Sequence, residues 1–539
     1  MSTMPIPGTP LRETTAGVGT LLRFGLWRER FTLPFWLLGA GALVAFQSVG
    51  SQRFYDTPQK LAQLRETISA SAATIAMGGP TRLLETIGGE IVFEIFAYLA
   101  VVVAVMNMFL IGRHTRSDEE TGRAELLRSA RVGRRAPAVA ALALAGLADI
   151  AVALVVFAAA VGTGLPVEGS LLLGIVTGGV GITFACITAV AAQVFENPRS
   201  VYGAVGSALV AAYVARAVGD VGNGAASWAS PIGWGQRSYP YAGDRWWTVL
   251  LFTAVSLVCA IVAFALLDRR DFGAGLLTYG TGRATASWAL GSPLGLAWRL
   301  QRGSLFGWTI GVFALGSAYG SFADSIEDFL ADNPEIAAYL PGGADDAVDS
   351  YLSLTVMVVA LLACAFGIVG VLRARSEESS GRAEPVLAAP ISRYAWLAGH
   401  LTVAVGGGAF VLAAGGFGIG LTHGVAIADA GRPLRMIGVA LVYLPALWLI
   451  VAVTVLGFGW VPRAVVPVAW VVFGYCAVAV LFTAAFDLPD WFDDASPFTH
   501  IPKAPLETVT AAPIIVLTVV AVAGFAAGFA GFRRRDAGY

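Results

Sequence analysis

Residues 116–125 read RSDEETGRAE, and residues 375–384 read RSEESSGRAE. The two segments are near copies, 259 residues apart, about half the chain. Each follows a long apolar stretch and precedes another within about a dozen residues. A polar motif held twice between paired apolar spans predicts a duplicated membrane protein. It also predicts that a soluble partner reads both copies from one side of the membrane.

Composition agrees with a lipid-facing surface. Of 539 residues, 57% are hydrophobic and only 13% charged, against about a quarter charged in ordinary soluble proteins. A bilayer crossing needs about 20 mainly apolar residues. Twelve such spans are expected, at 31–49, 92–112, 137–161, 169–193, 200–218, 246–267, 304–322, 350–372, 395–421, 436–460, 464–485 and 511–532. The fold class is therefore an all-α polytopic membrane protein. Asp149, near the centre of the third span, and Glu94, near the start of the second, are the intramembrane carboxylates. All four cysteines (Cys186, Cys259, Cys364, Cys476) fall inside spans and read as small apolar side chains rather than a disulfide framework or zinc site. Arg far outnumbers Lys, which points to a GC-rich genome.

The basic residues set the orientation. With the N-terminus inside, cytoplasmic segments hold 25 of the 35 Lys and Arg residues, seven of them Arg in 113–135. Residues 323–349 on the opposite side carry eight Asp or Glu and no Lys or Arg. Both termini are expected in the cytoplasm. The first 30 residues, with Arg12, Glu13, Arg23, Arg28, Glu29 and Arg30, show no cleavable signal pattern.

The duplication extends beyond the motif. Asp268-Arg269-Arg270-Asp271-Phe272-Gly273 closes the first half, and Arg533-Arg534-Arg535-Asp536-Ala537-Gly538 the second. Ala229-Ser230-Pro231 recurs as Ala495-Ser496-Pro497, and Arg30 with Trp36 as Arg302 with Trp308. The halves are 1–280 and 281–539, six spans each in parallel topology. Before each first span lies an amphipathic stretch: Phe24, Trp27 and Phe31 with Arg23, Arg28 and Arg30, then Trp298 and Leu305 with Arg299 and Arg302. Such mixtures suit a helix lying in the interface, or an ordinary juxtamembrane anchor. Residues 54–88 are expected to hold one outer surface helix ending at Gly78-Gly79-Pro80, and 486–510 an outer cap or loop.

Several chemistries lack their residues. Lys60 and Lys503 are the two lysines, and neither follows Gly, so no Walker A loop is present. HExxH, paired CxxC and GxSxG are absent too. The motif itself begins with a hydroxyl and acids, which favour a helix start. A short cytoplasmic helix is expected between spans 2 and 3, and again between spans 8 and 9. The plain alternative is a solvated, positive-inside loop, but that rule does not require a repeated acid–Gly-Arg-Ala-Glu pattern.

The pattern E-x-x-G-R-A-E-x-x-L-x-x-P-[IV]-S-R resembles the coupling-helix segment of type-2 ABC transporter permeases, the exporter class with ABCG-like membrane domains. Glu378, Gly381, Arg382, Ala383, Glu384, Leu387, Pro390, Ile391, Ser392 and Arg393 carry it in the second copy. The first copy keeps Glu119, Gly122, Arg123, Ala124, Glu125 and Arg134, and departs at Arg131 and Gly133. Two fused six-span halves resemble the actinobacterial tetronasin-type or multidrug exporters of that class. The resemblance implies alternating access driven by two copies of a separate cytoplasmic ATPase, which would hold ATP and Mg2+; this chain would hold no cofactor or metal and would catalyse nothing. The implied docking residues are Asp118, Glu119, Glu120, Gly122, Arg123 and Glu125, with Glu377, Glu378, Gly381, Arg382 and Glu384. The class lines its path with the second and fifth spans of each half. Tyr98, Asn107 and Phe109 of span 2, Met357 of span 8, and Phe473 and Tyr475 of span 11 are the path candidates, with Asp149 beside them. Aromatic and Met surfaces suit hydrophobic or amphipathic small molecules. Packing or lipid contact is the plain alternative for each, and a hydrogen-bonded structural carboxylate for Asp149.

Two other classes stay open. A proton-driven secondary transporter also has twelve spans in parallel repeats, but residues 113–135 lack the Gly-x-x-x-Asp-Arg-x-Gly-Arg signature of the major-facilitator fold. A membrane enzyme acting on lipid-linked substrates would want interfacial carboxylates or His, and His400 alone is a weak candidate.

Overall fold

The structure is a computed structural model that describes residues 14–55, 57–69, 72–277, 285–323, 347–486 and 489–535. The acidic stretch 324–346, Arg12, Glu13 and the final Asp536-Ala537-Gly538 lie outside the described residues. Contacts divide the chain into two units, Met1–Gly282 and Arg283–Tyr539.

In the first unit, α1 (Val18–Glu29) leads into α2 (Thr32–Phe54). Outside the spans lie α3 (Pro58–Ser69) and α4 (Ala72–Gly78), so the single surface helix expected in 54–88 is two helices and a 3-10 turn at Thr81–Glu85. Next come α5 (Ile87–Arg113), the short α6 (Arg116–Glu120) and α7 (Arg123–Arg128), α8 (Ala136–Gly162), α9 (Val167–Val194), α10 (Pro198–Val221), α11 (Pro231–Arg237) and α12 (Val249–Arg269). Polar caps followed by proline start several of them. Asn197 and Ser230 accept backbone N–H bonds from Ser200 and Gly233, just before Pro198 and Pro231.

The second unit holds α13 (Pro293–Phe322), α14 (Ala347–Ser379), α15 (Ala383–Ala388), α16 (Arg393–Ala426), α17 (Arg432–Leu441), α18 (Leu444–Trp460), α19 (Val465–Phe486), α20 (Asp490–Asp494) and α21 (Ala511–Arg534). The separate amphipathic stretch expected ahead of span 7 is continuous with it in α13, capped by Ser292. The corresponding stretch in the first unit breaks at Arg30-Phe31.

Eleven helices among the described residues are long and apolar enough to cross a membrane. The remaining expected span falls on α19, whose described apolar stretch is Val465–Leu481. Lipid offers no hydrophobic drive for helix association, so close packing must supply it. Small residues do so here. A Cβ on Gly316 would fall 2.3 Å from the Gly415 carbonyl oxygen, and one on Gly459 2.2 Å from that of Gly528. In the first unit α5 and α9 are central and mostly buried along their apolar stretches, while α12 is mostly exposed. α9 packs on α5, α8 and α12, and α2 on α8. In the second unit α13 packs on α16, α14 on α16 and α18, and α18 on α21.

Candidate functional site

The first motif copy sits at one end of its unit. His114 closes α5, α6 carries the acids, and Gly122 with φ +73° separates α6 from α7. In the second copy α14 continues through the acids to Ser379, Gly381 takes φ +70°, and α15 follows. Left-handed backbone costs an L-residue with a Cβ about 1–2 kcal/mol, which explains Gly at both positions.

The first acids of each motif point inward. Asp118 accepts from Arg28 of α1 at 2.9 and 3.0 Å, with Arg123 at 3.5 Å. Glu119 accepts from Arg116 at 2.8 Å and from Arg270, just past α12, at 3.1 Å. Arg116 is fully buried, and it also donates to the carbonyls of Ala192 and Ala274. Beside them Glu29, 2% exposed, accepts two bonds from Arg113 and lies 2.9 Å from His114 Nε2. Burial pushes the Glu29 carboxyl up, but the His114 bond and the charges of Arg113, His114 and Arg28 outweigh it and hold the group below its usual range.

The second unit repeats the plan. Glu377 accepts from Arg382 at 2.9 Å. Glu378 accepts a two-pronged bond from Arg535, just past α21, at 2.7 and 2.8 Å, with Arg375 at 3.6 Å. Three of the expected docking acids, Asp118, Glu119 and Glu378, thus tie their segments to distant elements, while Glu377 bonds Arg382 across the Gly381 turn of its own segment. Glu120, Arg123 and Glu125 face outward in the first copy, and Arg382 and Glu384 in the second. Leu126 is 75% exposed among them, an apolar knob on an otherwise polar surface. Arg28, Glu29, Arg270 and Arg535 were not singled out as site residues. The repeated chain ends were a visible signal for two of them, but nothing linear ties those ends to the motif.

The path candidates divide. Tyr98 and Phe109 share one uncovered side of α5, 47% and 37% exposed. Phe109 stacks edge-on against Tyr202. Asn107 and Asp149 are brought together inside the first unit, with the Asn107 amide donating to Asp149 Oδ1 at 2.7 Å. A Cβ on Gly181 would fall 2.1 Å from that oxygen, so the bare glycine makes room for the pair. Met357 is buried in the core of the second unit. Asn107, Asp149 and Met357 therefore face packed helices rather than open space. Phe473 and Tyr475 are half-buried, and the Tyr475 hydroxyl donates to the Phe492 carbonyl.

Residues 290–533 match the family described as multidrug efflux system permease Rv1217c, C-terminal domain. Over 521 residues the chain is 37% identical to the multidrug efflux system permease protein Rv1217c of Mycobacterium tuberculosis, which covers 96% of this chain and 94% of that protein.

Proposed function

The chain belongs to the multidrug efflux system permease family, and from that premise we propose that it is the membrane subunit of an ATP-driven exporter. It is a multi-pass protein of the plasma membrane of a GC-rich bacterium. The substrates on this reading are hydrophobic or amphipathic small molecules, released outward by alternating access. Two copies of a separate cytoplasmic ATPase bind ATP and Mg2+, one under each six-span half, 1–280 and 281–539. The type-2, ABCG-like class supplies the mechanism: ATP closes the ATPase pair, the two cytoplasmic segments move with it, and the spans rearrange.

One observation carries the reading. Each motif copy is fastened from behind through its first acids and displays the rest of its polar face outward. That is the form a docking platform needs: fixed on its own protein and free toward a partner. On this reading Glu120, Arg123, Glu125, Arg382 and Glu384 touch the ATPase, Gly122, Gly381 and the Glu377–Arg382 bond set the turns, and Asp118, Glu119 and Glu378 hold the platform. Tyr98 and Phe109 are the best-placed path residues in the first unit, with Phe473 and Tyr475 in the second.

The test is copurification with a candidate ABC ATPase subunit from the same organism, then ATPase assay in nanodiscs. Leu126→Asp combined with Glu384→Arg is expected to weaken the complex at least tenfold, leaving yield and thermal midpoint near wild type. A wild-type chain that binds no ATPase and transports on a proton gradient alone would overturn the reading and leave the secondary transporter.

A further inference from the structure

Each unit ends its last span on an arginine in nearly the same backbone conformation. Arg270 follows α12 with φ −92° and ψ 151°, and Arg535 follows α21 with φ −95° and ψ 156°. Each turns back across its unit to the second acid of its own motif copy, 151 and 157 residues earlier in the chain. Arg270 donates both terminal nitrogens to Glu119, and Arg535 both of its own to Glu378. A planar guanidinium gripping a carboxylate with two bonds fixes orientation as well as distance.

The surroundings of the two grips differ. Arg270 Nε donates to Gln193 at 2.6 Å and its Nη1 to the Ala274 carbonyl at 3.0 Å. Arg535 instead lies over the rings of Phe458 and Phe532 at 4.8 and 5.0 Å, and its carbonyl accepts from Arg393 at 2.6 Å. The fork is common to both units and its packing is not. On the first-unit side Asp118, Glu119, Arg134, Gln193 and Arg270 border a cavity of about 340 Å3. The Arg270–Glu119 pair thus sits at the edge of open space, beside the Arg28–Asp118 pair that fastens the same segment.

We propose that Arg270 and Arg535 are positioning residues, each latching a motif segment to the end of the sixth span of its half. A segment pushed by a partner then carries that span with it, so the latch transmits motion out of the α5–α8 turn. This rests on the ATP-driven reading for its consequence in transport, while the latch itself can be tested without the ATPase.

The variants are Arg270→Gln and Arg535→Gln, singly and together, with Arg270→Lys and Arg535→Lys as partners that keep the charge and lose the fork. In the full chain in nanodiscs, amide hydrogen exchange is followed across 116–130 and 376–390. We expect each Gln variant to speed exchange about tenfold in its own segment only, with Lys between Gln and wild type. With the ATPase added, the complex is expected to form while substrate-stimulated ATPase and export fall at least fivefold, with partial rescue by Lys. Unchanged exchange in folded Gln or Lys variants overturns the latch, whatever the partner does. Faster exchange with undiminished stimulated ATPase and export overturns the positioning role and leaves a merely structural bridge. A wild-type chain that binds no ATPase sinks the exporter reading and the coupling role together, and the exchange result still decides whether the latch exists.

Discussion

Glu29 concentrates three hydrogen bonds on one buried carboxylate, and its pH behaviour follows from them. Its folded-state carboxyl is held below the ordinary value of 4.5, so its contribution to stability is present above that pH and is lost as pH falls through the lower folded value. Glu29→Gln is expected to lower the thermal midpoint at neutral pH and to flatten its decline below about pH 5. An unchanged acid limb would remove Glu29 from the account. Asp149 differs, because its partner is the neutral amide of Asn107. Asp149→Asn keeps a polar partner there and is expected to preserve both fold and export. Asp149→Leu leaves the Asn107 amide buried without an acceptor side chain and should cost about 1–3 kcal/mol in unfolding. Export lost in a folded Asp149→Asn protein would instead assign that carboxylate an ionic role. The sequence marked Asp149 as intramembrane, but its pairing with Asn107, 42 residues away, required the packing of α5 on α8.

In each copy a left-handed glycine separates the helix that carries the acids, α6 or α14, from the short helix that follows. A Cβ at Gly122 or Gly381 would meet nothing within 4 Å, so the cost of a side chain there is the backbone's alone. Gly122→Ala and Gly381→Ala are each expected to destabilise their segment by about 1–2 kcal/mol. Asn substitutions should do so less, since Asn tolerates this conformation. Faster amide exchange confined to the altered copy is the measurement, and equal exchange in the Ala and Asn variants would refute the backbone explanation. The sequence showed both glycines in register but not their conformation. It also led one to expect two similar amphipathic stretches, whereas only the first unit breaks its helix before the span. The exposed Trp27, Phe31 and Phe35 (60%, 68% and 76%) place an apolar face at that break, with Arg30 stacked over Trp27 and Phe31.

At the scale of the molecule, the expectation to test is that both motif copies lie on one side of the membrane. In a chain freed of its native cysteines, Glu120→Cys and Glu384→Cys should react with an impermeant maleimide only after permeabilisation, whereas Lys60→Cys and Glu507→Cys should react in intact cells. Labelling of one motif copy from outside would break the parallel arrangement of the halves. Within the first unit the hydrogen bonds already separate two ends. Arg28, Arg116 and Arg270 gather at the motif end of the first unit. Thr86 and Ser170 meet Tyr241 at the other.

Hydropathy and self-similarity are properties summed along a chain, so the sequence by itself determined the apolar spans and the repeated polar motif. The expected spans coincide with the helices to within a few residues at most ends, but 436–460 is divided between α17 and α18, and α13 begins well before residue 304. Which side of each motif is fastened and which is free is not such a sum. Glu119 and Glu125 are both acids of one motif, yet the first is gripped by an arginine 151 residues later while the second is exposed. Only the packing of α9 and α12 beside α5 brings that arginine within reach. An ion pair acts over a few ångströms, and the order of helices in space is what decides which residues come that close.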